Sequence, residues 1–312
     1  MVQKINEVIN EINKVIKGKD EIIAKVLMAI CASGHILLED NPGSGKTTLA
    51  KSISRAIQLE YNRIQFTPDT MPSDITGYAY FKKGSDRLEY MPGAVQCNLL
   101  LGDEINRTSA KTQSALLEAM EEGSVTLEGR TNKLPDPFIL IATENPITSL
   151  GTQPLPDSQC DRFMIKLSMG YPSVEDETNI ILDTSVKGIV QKVKCVMSLE
   201  ELLYIRQYVD NIFTSEELAR YICVLCSQTR KNQYVEVGVS TRGAIALKHM
   251  SAAHALFDNR SYIIPEDVLA VFKDVCRHRI VLKNQAYMED ITEDMILEEI
   301  MKDVKPPVIA NN

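Results

Sequence analysis

The chain reads Asn41-Pro42-Gly43-Ser44-Gly45-Lys46-Thr47-Thr48 between an apolar run, residues 36–38, and a run with helix propensity that begins near Thr47. A strand, a glycine-rich turn, a lysine, a hydroxyl residue and a helix in this order are typical of a phosphate-binding loop. Gly43 and Gly45 allow successive backbone N–H groups to point at one anion, and the helix N-terminus adds partial positive charge. The stretch therefore predicts that residues 41–48 bind the phosphates of a nucleotide.

Two side chains of this loop have specific roles in the prediction. Lys46 can reach the β- and γ-phosphates, and the hydroxyl of Thr47 can ligate Mg²⁺. One position departs from the usual spacing G-x-x-x-x-G-K-[ST], because Asp40 stands where the first glycine is normally found. The other anchors are intact, so the prediction of a phosphate-binding loop is kept.

A second stretch, Asn98-Leu99-Leu100-Leu101-Gly102-Asp103-Glu104, predicts a buried strand that ends in two carboxylates. An apolar strand does not need two acids at its tip, so both residues are candidates for a chemical role. Asp103 is placed to hold the Mg²⁺ shell, directly or through water. Glu104 is placed to polarise the attacking water, and the alternative for Glu104 is a solvated charge at a strand end.

Composition limits the class of protein. The 312 residues are 44% hydrophobic, which predicts one large or two ordinary domains with sizeable cores. A net charge of −8 argues against strong non-specific binding to nucleic acid. Seven scattered cysteines indicate reduced thiols and a cytoplasmic location. The N-terminus does not resemble a signal peptide, and no apolar run approaches the length of a membrane span.

The order of elements predicts an α/β fold. Helices are predicted between most of the strands, including Lys46–Ile57 and Ser109–Glu122, and the second of these is stopped by Gly123. Strands and helices that alternate in this way predict a parallel sheet covered on both faces. The five predicted strands are His35–Glu39, Arg63–Thr67, Cys97–Asp103, Phe138–Thr143 and Arg162–Ser168.

Two insertions and a change of pattern divide the chain further. Residues 77–93 and 124–134 each predict a hairpin inserted into the α/β core. After residue 173 the strand signals stop, and capping boxes at Ser198 and Thr214-Ser215 open predicted helices. We therefore predict an α/β domain over 1–180, a helical domain over 195–305 and a frayed tail over 306–312.

Three further polar residues are candidates for contact with a nucleotide. Asn145 ends the fourth predicted strand, where it can bind the γ-phosphate or the attacking water; the alternative is a turn-forming Asn before Pro. Arg162, predicted at the start of the last strand, can point into a neighbouring subunit, and the alternative is a local ion pair with Asp161. Arg242 opens a helix of the second domain and can reach across a cleft to the phosphates, and the alternative is a solvated arginine.

Taken together, these residues resemble the AAA+ ATPases and, within them, the MoxR family. The resemblance extends over nearly the whole chain. It is carried by the segments Leu37–Thr47, Arg63–Asp69, Ser73–Gly77, Asp103–Arg107, Lys111–Met120 and Leu155–Phe163.

The resemblance implies an AAA+ P-loop core of the ASCE type, with a parallel five-stranded sheet, followed by a C-terminal all-helical lid. It implies that Asn145 is sensor 1, Arg162 the arginine finger and Arg242 sensor 2. The segment Val15–Lys19, with Ile16 and Gly18, is similar to the part of these proteins that lines the adenine pocket.

The resemblance also implies an activity and partners. Members of the family hydrolyse ATP with Mg²⁺, assemble as hexameric rings and remodel client proteins, often with partners that carry von Willebrand factor A domains. They help to mature other proteins or to insert metal into them. Asp40 replaces the first glycine of the usual loop, a change that is associated with this family and is not expected to inactivate the site. Glu144 precedes the predicted sensor at a position where the resemblance predicts Gln.

Two other functions stay open from the sequence. A DNA-acting AAA+ motor has the same core, and Lys82, Lys83 and Arg87 place positive charge on the first hairpin. Against it, the chain is acidic and has no appended DNA-binding module. The other is a switch that binds ATP and hydrolyses it negligibly without a partner. The acid pair argues against an inactive scaffold, but it is compatible with slow basal turnover.

Overall fold

A computed structural model describes residues 1–40, 43–82, 88–145, 155–182 and 189–307. The elements in chain order are α1 (Val2–Asn13), α2 (Asp20–Cys31), β1 (Ile36–Glu39), α3 (Lys46–Ala56), β2 (Tyr61–Gln65), α4 (Pro72–Thr76), β3 (Gly77–Phe81), β4 (Leu88–Pro92), β5 (Leu99–Asp103), α5 (Ala110–Glu122), β6 (Ser124–Leu127), β7 (Arg130–Lys133), β8 (Ile139–Glu144), α6 (Asp157–Cys160), β9 (Ile165–Leu167), α7 (Val174–Leu182), α8 (Leu199–Asp210), α9 (Glu216–Lys231), β10 (Val235–Val237), α10 (Thr241–Phe257), α11 (Pro265–Cys276), β11 (Val281–Leu282), α12 (Asn284–Met288) and α13 (Glu293–Asp303).

The predicted parallel five-stranded sheet is confirmed. Its strand order is β2-β5-β8-β1-β9, and every neighbouring pair is parallel. Strands that neighbour in space but not in sequence need crossover connections, which the helices between them provide. Because the strands are parallel, their carboxyl ends meet at one edge of the sheet.

The sheet separates two apolar cores because side chains alternate along each strand. Leu38 and Leu101 belong to a core shared with α1, α2 and the C-terminal helices, whereas Leu37 and Leu100 belong to a second core with α5. All four side chains are fully buried. The near-continuous apolar runs of these strands follow from burial on both faces.

Both predicted hairpins are present. The first pairs β3 with β4, and the second pairs β6 with β7, each antiparallel. The residues between β3 and β4, 83–87, lie outside the described part of the chain.

The predicted position of Arg162 at the start of the last strand needs correction. Arg162 lies between α6 and β9 and does not begin the strand, because β9 starts at Ile165.

The C-terminal part is helical, as predicted, with one addition. Ser198 caps α8 in a capping box, and Ser215 accepts a hydrogen bond from the N–H of Leu218 at the start of α9. The sequence predicts no strands in the C-terminal part, yet β10 and β11 form a short antiparallel pair. Strands of two or three residues are too short for an alternating pattern to reveal them. The limits 1–180 and 195–305 of the two domains stay predictions.

A buried arginine joins the sheet to the C-terminal helices. Arg279, whose side chain is 2% exposed, donates from Nε to Asp161 Oδ1 at 2.8 Å and from Nη2 to Phe163 O at 2.5 Å. Ser240, the residue that caps α10, donates to the other oxygen of Asp161 at 2.8 Å. The carboxylate of Asp161 therefore fastens the start of α10 to the segment that leads into β9.

The structure also bears on membrane-spanning helices and on the state of the cysteines. No helix in the described ranges is both long and apolar enough to cross a membrane. All seven cysteines are free thiols.

Replacing Arg279 tests the importance of this junction. Arg279→Leu removes the charged partner of the Asp161 carboxylate, which keeps only its hydrogen bond from Ser240, and one of the donors to the carbonyl of Phe163. The free energy of unfolding is therefore expected to fall by about 3 kcal/mol. Urea denaturation followed by circular dichroism measures it. The matched control is Lys273→Ala in α11, which breaks an exposed ion pair with Glu298 and is expected to cost less than about 1 kcal/mol. Equal losses in the two variants would contradict the assigned role.

Candidate functional site

A cleft of about 430 Å³ opens at the carboxyl ends of the central strands. It brings together the phosphate-binding loop, the acid pair and the end of β8, which are far apart in the sequence. Its lining residues are Asp40, Gly43, Ser44, Gly45, Lys46, Thr47, Thr48, Arg63, Gln65, Asp103, Glu104, Glu144 and Asn145. Asn41 and Pro42, also predicted to bind nucleotide, lie outside the described residues.

The loop has the backbone that an anion site requires. Gly43 and Gly45 have φ angles of 90° and 91°, in the left-handed region that glycine adopts without strain. Gly45 is also the N-cap of α3, so the positive end of that helix faces the cleft. The hydroxyl of Ser44 is buried and lacks a hydrogen-bond partner among the described residues. An unsatisfied donor at this point suits a phosphate oxygen.

Lys46 lies among negative groups. Its Nζ donates to the backbone oxygen of Asp40 at 2.7 Å. Partial burial lowers the pKa of Lys46, while the carboxylates of Asp40, Asp103 and Glu104 act in the opposite direction. A cation that is only partly desolvated and is surrounded by acids stays charged, which suits binding of phosphate.

The carboxylate of Asp103 is held on both sides. Thr143, fully buried on β8, donates its hydroxyl to Asp103 Oδ1 at 2.7 Å and accepts from the backbone N–H of Glu104 at 2.9 Å. Arg63 on β2 donates to Asp103 Oδ2 at 2.7 Å. Asp103 and Thr47 line the same cleft, and a carboxylate together with a hydroxyl is the kind of oxygen donor set that Mg²⁺ prefers, so the chemistry of these residues fits the metal.

Glu104 has an unusual backbone. Its φ and ψ are 57° and 52°, a left-handed conformation that costs energy for a residue with a side chain. Its carboxylate accepts from Arg107 Nη1 at 2.8 Å. Strained residues of this kind concentrate at functional sites, which favours a chemical role for Glu104 over a solvated strand-end charge.

Asn145 lines the same cleft, at the end of β8. Its backbone oxygen accepts from the side chain of Asn106 at 3.3 Å, and Asn106 is itself buried next to the acid pair. The predicted sensor, Asn145, therefore contacts the short segment 104–106 that begins with the predicted catalytic acid, Glu104.

The two predicted arginines lie together, away from the cleft. Both Arg162 and Arg242 pair with Glu121 at the end of α5, and the contact from Arg162 Nη1 is 3.0 Å. Neither is among the described residues that line the 430 Å³ cleft. The alternative partner for Arg162, Asp161, pairs with Arg279 instead. In this conformation the subunit does not place either arginine on its own phosphate loop.

The predicted adenine segment lies behind the loop. A Cβ atom at Gly45 would lie 3.8 Å from Ile16 Cδ1, so Ile16 packs close to the phosphate-binding turn. Gly18, with φ of 65°, faces the carboxylate of Asp176 in α7. Neither is among the described residues that line the cleft, and their contact with adenine stays a prediction.

Sequence reasoning missed three residues of the site: Arg63, Thr143 and Glu121. The first two carried a usable signal. Arg63 is a charged residue in a strand that runs beside β5, and Thr143 is a hydroxyl at the end of an apolar strand. Glu121 carried none, because it is one of several acids on an exposed helix end. Only the packing of α5 against the segment before β9 reveals it.

Glu144 occupies the position where the family pattern has Gln. It is 9% exposed, and burial raises its pKa, as does the charge of Glu39; Lys166 and a backbone N–H act against this shift. A carboxyl that keeps its proton more readily resembles the amide of Gln in charge and shape. The departure is therefore a mild one.

The raised pKa gives a signed prediction. In the folded state ionisation of Glu144 is penalised, and the penalty grows as pH rises from the pKa of the unfolded chain through that of the fold. Glu144→Gln removes the penalty, so at pH 8 it is expected to raise Tm by about 1–3 °C, and the gain should shrink below about pH 4.5. Thermal unfolding at both pH values measures it. Glu298→Gln is the control, because Lys273 lowers the pKa of this exposed acid and no gain is expected at pH 8. A lower Tm for Glu144→Gln at pH 8 would contradict the argument.

Two segments of the chain match known family models. Residues 35–165 match the model of the ATPase family associated with various cellular activities (AAA), and residues 227–300 match an AAA lid domain. The chain is 42% identical to the uncharacterized protein YeaC of Bacillus subtilis, over 97% of this chain and 95% of that protein. It is 36% identical to the chaperone MoxR1 of Mycobacterium tuberculosis, over 99% of this chain and 84% of that protein.

A solved structure agrees with the fold. The crystal structure of a protein from Cytophaga hutchinsonii, described as a candidate ATPase, superposes with a TM-score of 0.91 at 38% identity. The match covers 98% of this chain and 96% of the other. With its parallel sheet, its AAA and lid segments and its MoxR relatives, the chain belongs to the MoxR family of AAA+ ATPases.

Proposed function

We propose that this protein binds ATP with Mg²⁺, hydrolyses it in a ring of identical subunits, a hexamer, and uses the energy to remodel partner proteins. The observation that carries the proposal is the cleft itself. It gathers a cationic loop, a pair of acids and a polar strand end at one edge of a parallel sheet. This arrangement is suited to phosphoryl transfer, in which positioning and charge stabilisation supply most of the catalysis.

In this proposal each cleft residue has a defined task. The loop N–H groups, the Ser44 hydroxyl and Lys46 bind the phosphates, and Thr48 borders them. Thr47 and Asp103 hold Mg²⁺, which neutralises charge that develops on the phosphates. Glu104 orients and polarises the attacking water, and Asn145 contacts the γ-phosphate or that water. To orient the attacking water, Glu104 has to leave Arg107, with which it pairs in this structure.

A neighbouring subunit completes the site. Arg162 and Arg242 are fastened to one carboxylate outside the cleft, so neither stabilises the transition state of its own subunit in this conformation. We place both on the nucleotide of the adjacent subunit, where an arginine supplied in trans accelerates phosphoryl transfer strongly. This revises the role predicted for Arg242 across its own cleft. Glu121 then balances the two positive charges in the free subunit.

The client is proposed to be a protein. One relative is named a chaperone, and clients or partners with von Willebrand factor A domains follow from the family resemblance. A DNA-acting motor gains no support from the first hairpin. Its Lys82 pairs with Glu89 at 3.2 Å, and Lys83 and Arg87 lie outside the described residues. A cytoplasmic location stays a prediction, drawn from the free thiols.

ATP turnover per subunit, measured against protein concentration with Mg²⁺ present, tests the proposal. A rate that rises with concentration is expected, because the site is completed between subunits. Glu104→Gln is expected to bind ATP and lower turnover by at least about 100-fold. Lys46→Ala is expected to weaken binding, with Lys51→Ala, an exposed lysine of the same helix α3, as its unaffected control. No turnover at any concentration would favour the partner-dependent switch.

Mixing two inactive variants tests the contribution of the neighbour. Lys46→Ala keeps the arginines but loses its own site, whereas Arg162→Ala keeps the site but loses the finger. Random 1:1 assembly is expected to restore turnover at about a quarter of the interfaces, because one subunit then supplies the site and the next supplies Arg162. A mixture as inactive as its components, with assembly confirmed by sizing, would contradict action in trans.

A further inference from the structure

The carboxylate of Asp40 is buried against a segment far along the chain. Asp40 is 6% exposed. Its Oδ2 accepts from the N–H of Met169 at 2.5 Å, and its Oδ1 accepts from the N–H of Gly170 at 3.0 Å and from Ser168 Oγ at 2.9 Å. Three donors from residues 168–170 therefore converge on one side chain at the start of the phosphate-binding loop.

The backbone of Asp40 contacts two other parts of the cleft. Its carbonyl oxygen accepts from Lys46 Nζ at 2.7 Å, and its N–H donates to the carbonyl of Glu144 at 3.1 Å. A single residue thus connects the phosphate-binding lysine, the end of β8 and the segment that follows β9.

The usual reason for a glycine at this position does not apply here. Asp40 is not among the described non-glycine residues with positive φ, so its backbone needs no glycine. A glycine would leave the two N–H groups and the hydroxyl of residues 168–170 without their acceptor. Charge-assisted hydrogen bonds of this kind are stronger than neutral ones, and burial makes their loss costly.

The segment 168–171 also packs against the rest of the nucleotide site. Met169, which is 2% exposed, approaches the loop so closely that a Cβ atom at Gly45 would lie 3.9 Å from its Cε. The backbone oxygen of Tyr171 accepts from Lys19 Nζ at 2.8 Å, at the end of the predicted adenine segment. The segment then continues into α7, towards the C-terminal helices. A movement of the phosphate-binding loop would therefore change the contacts of residues 168–171 directly.

We propose that Asp40 is a positioning residue that ties the phosphate-binding loop to residues 168–170 and transmits ATP binding from the loop to that segment. The inference rests on the proposed ATP site. It gives a reason for aspartate in place of glycine at position 40. The carboxylate of Asp40 accepts hydrogen bonds from the segment after β9, which a glycine could not accept.

Hydrogen exchange measured by mass spectrometry tests the link without relying on turnover. In the unaltered full chain, the non-hydrolysable analogue AMP-PNP with Mg²⁺ is expected to slow exchange in the peptide that contains residues 168–171. In Asp40→Gly and Asp40→Asn that peptide is expected to exchange faster without nucleotide and to lose its response to AMP-PNP. An unchanged response in both variants, or no response in a chain that binds AMP-PNP, would overturn the proposal.

Affinity for a fluorescent ATP analogue gives the second measurement. Asp40→Gly restores the glycine of the usual motif, yet it is expected to bind the analogue on the order of tenfold more weakly. Ser168→Ala removes one donor without touching the loop and is expected to change affinity in the same direction by a smaller factor. Binding as tight as, or tighter than, that of the unaltered chain in Asp40→Gly would overturn the proposal.

Two controls separate the causes of failure. Asp267→Asn alters another buried carboxylate, paired with Arg260 and remote from the cleft, so it should lower Tm and leave affinity unchanged. Weaker binding in Asp267→Asn by the same factor as in Asp40→Asn would attribute the effect to general destabilisation and overturn the proposal. If the unaltered chain binds no adenine nucleotide at all, the proposed function itself fails, whatever the variants do.

Discussion

Parallel pairing of β5, β8 and β1 is the constraint on which the rest of the structure depends. It brings the ends of three separate strands to one edge, and most of the polar side chains of the cleft follow from it. Arg63 and Gln65 come from the neighbouring strand β2. The apolar residues of these strands are buried on both faces, so a shift of register by one residue would expose one core and disrupt the other. The chemistry is therefore positioned by the same apolar packing that stabilises the fold.

The charged side chains of the cleft have partners within the chain. Lys46 donates a hydrogen bond to the backbone oxygen of Asp40. Asp103 accepts a hydrogen bond from Thr143 and pairs with Arg63, and Glu104 pairs with Arg107. These contacts fix the positions of the charged groups at the edge of the sheet, and fixed charges are what electrostatic catalysis requires. Outside the cleft, Glu121 likewise pairs with two arginines, Arg162 and Arg242.

The structure also shows the partners of two unusual residues: Asp40, which stands where the usual loop has a glycine, and Glu144, which stands where the family resemblance predicts Gln. At position 40 a carboxylate is retained because three donors from a distant segment need an acceptor. At position 144 burial and the charge of Glu39 raise the pKa of the acid because both penalise its ionised form, and Lys166 acts in the opposite direction. Neither reason is visible in the motif itself, since both partners come from residues far along the chain.

By itself, the sequence determined the features that depend on neighbours in the chain: the loop at 41–48, the acid pair at the end of an apolar strand, the five strands, the two hairpins and the capped helices. Turn residues, helix caps and the spacing of apolar residues act over a few neighbouring positions, so their patterns can be recognised in the sequence. The tertiary structure alone decided the placement of Arg162 and Arg242 on Glu121, the support of Asp103 by Thr143 and Arg63, and the partners of Asp40. These depend on strand order and helix packing, which bring together residues separated by 40 positions for Asp103 and Thr143 and by 130 positions for Asp40 and Gly170. No local pattern in the sequence encodes such contacts.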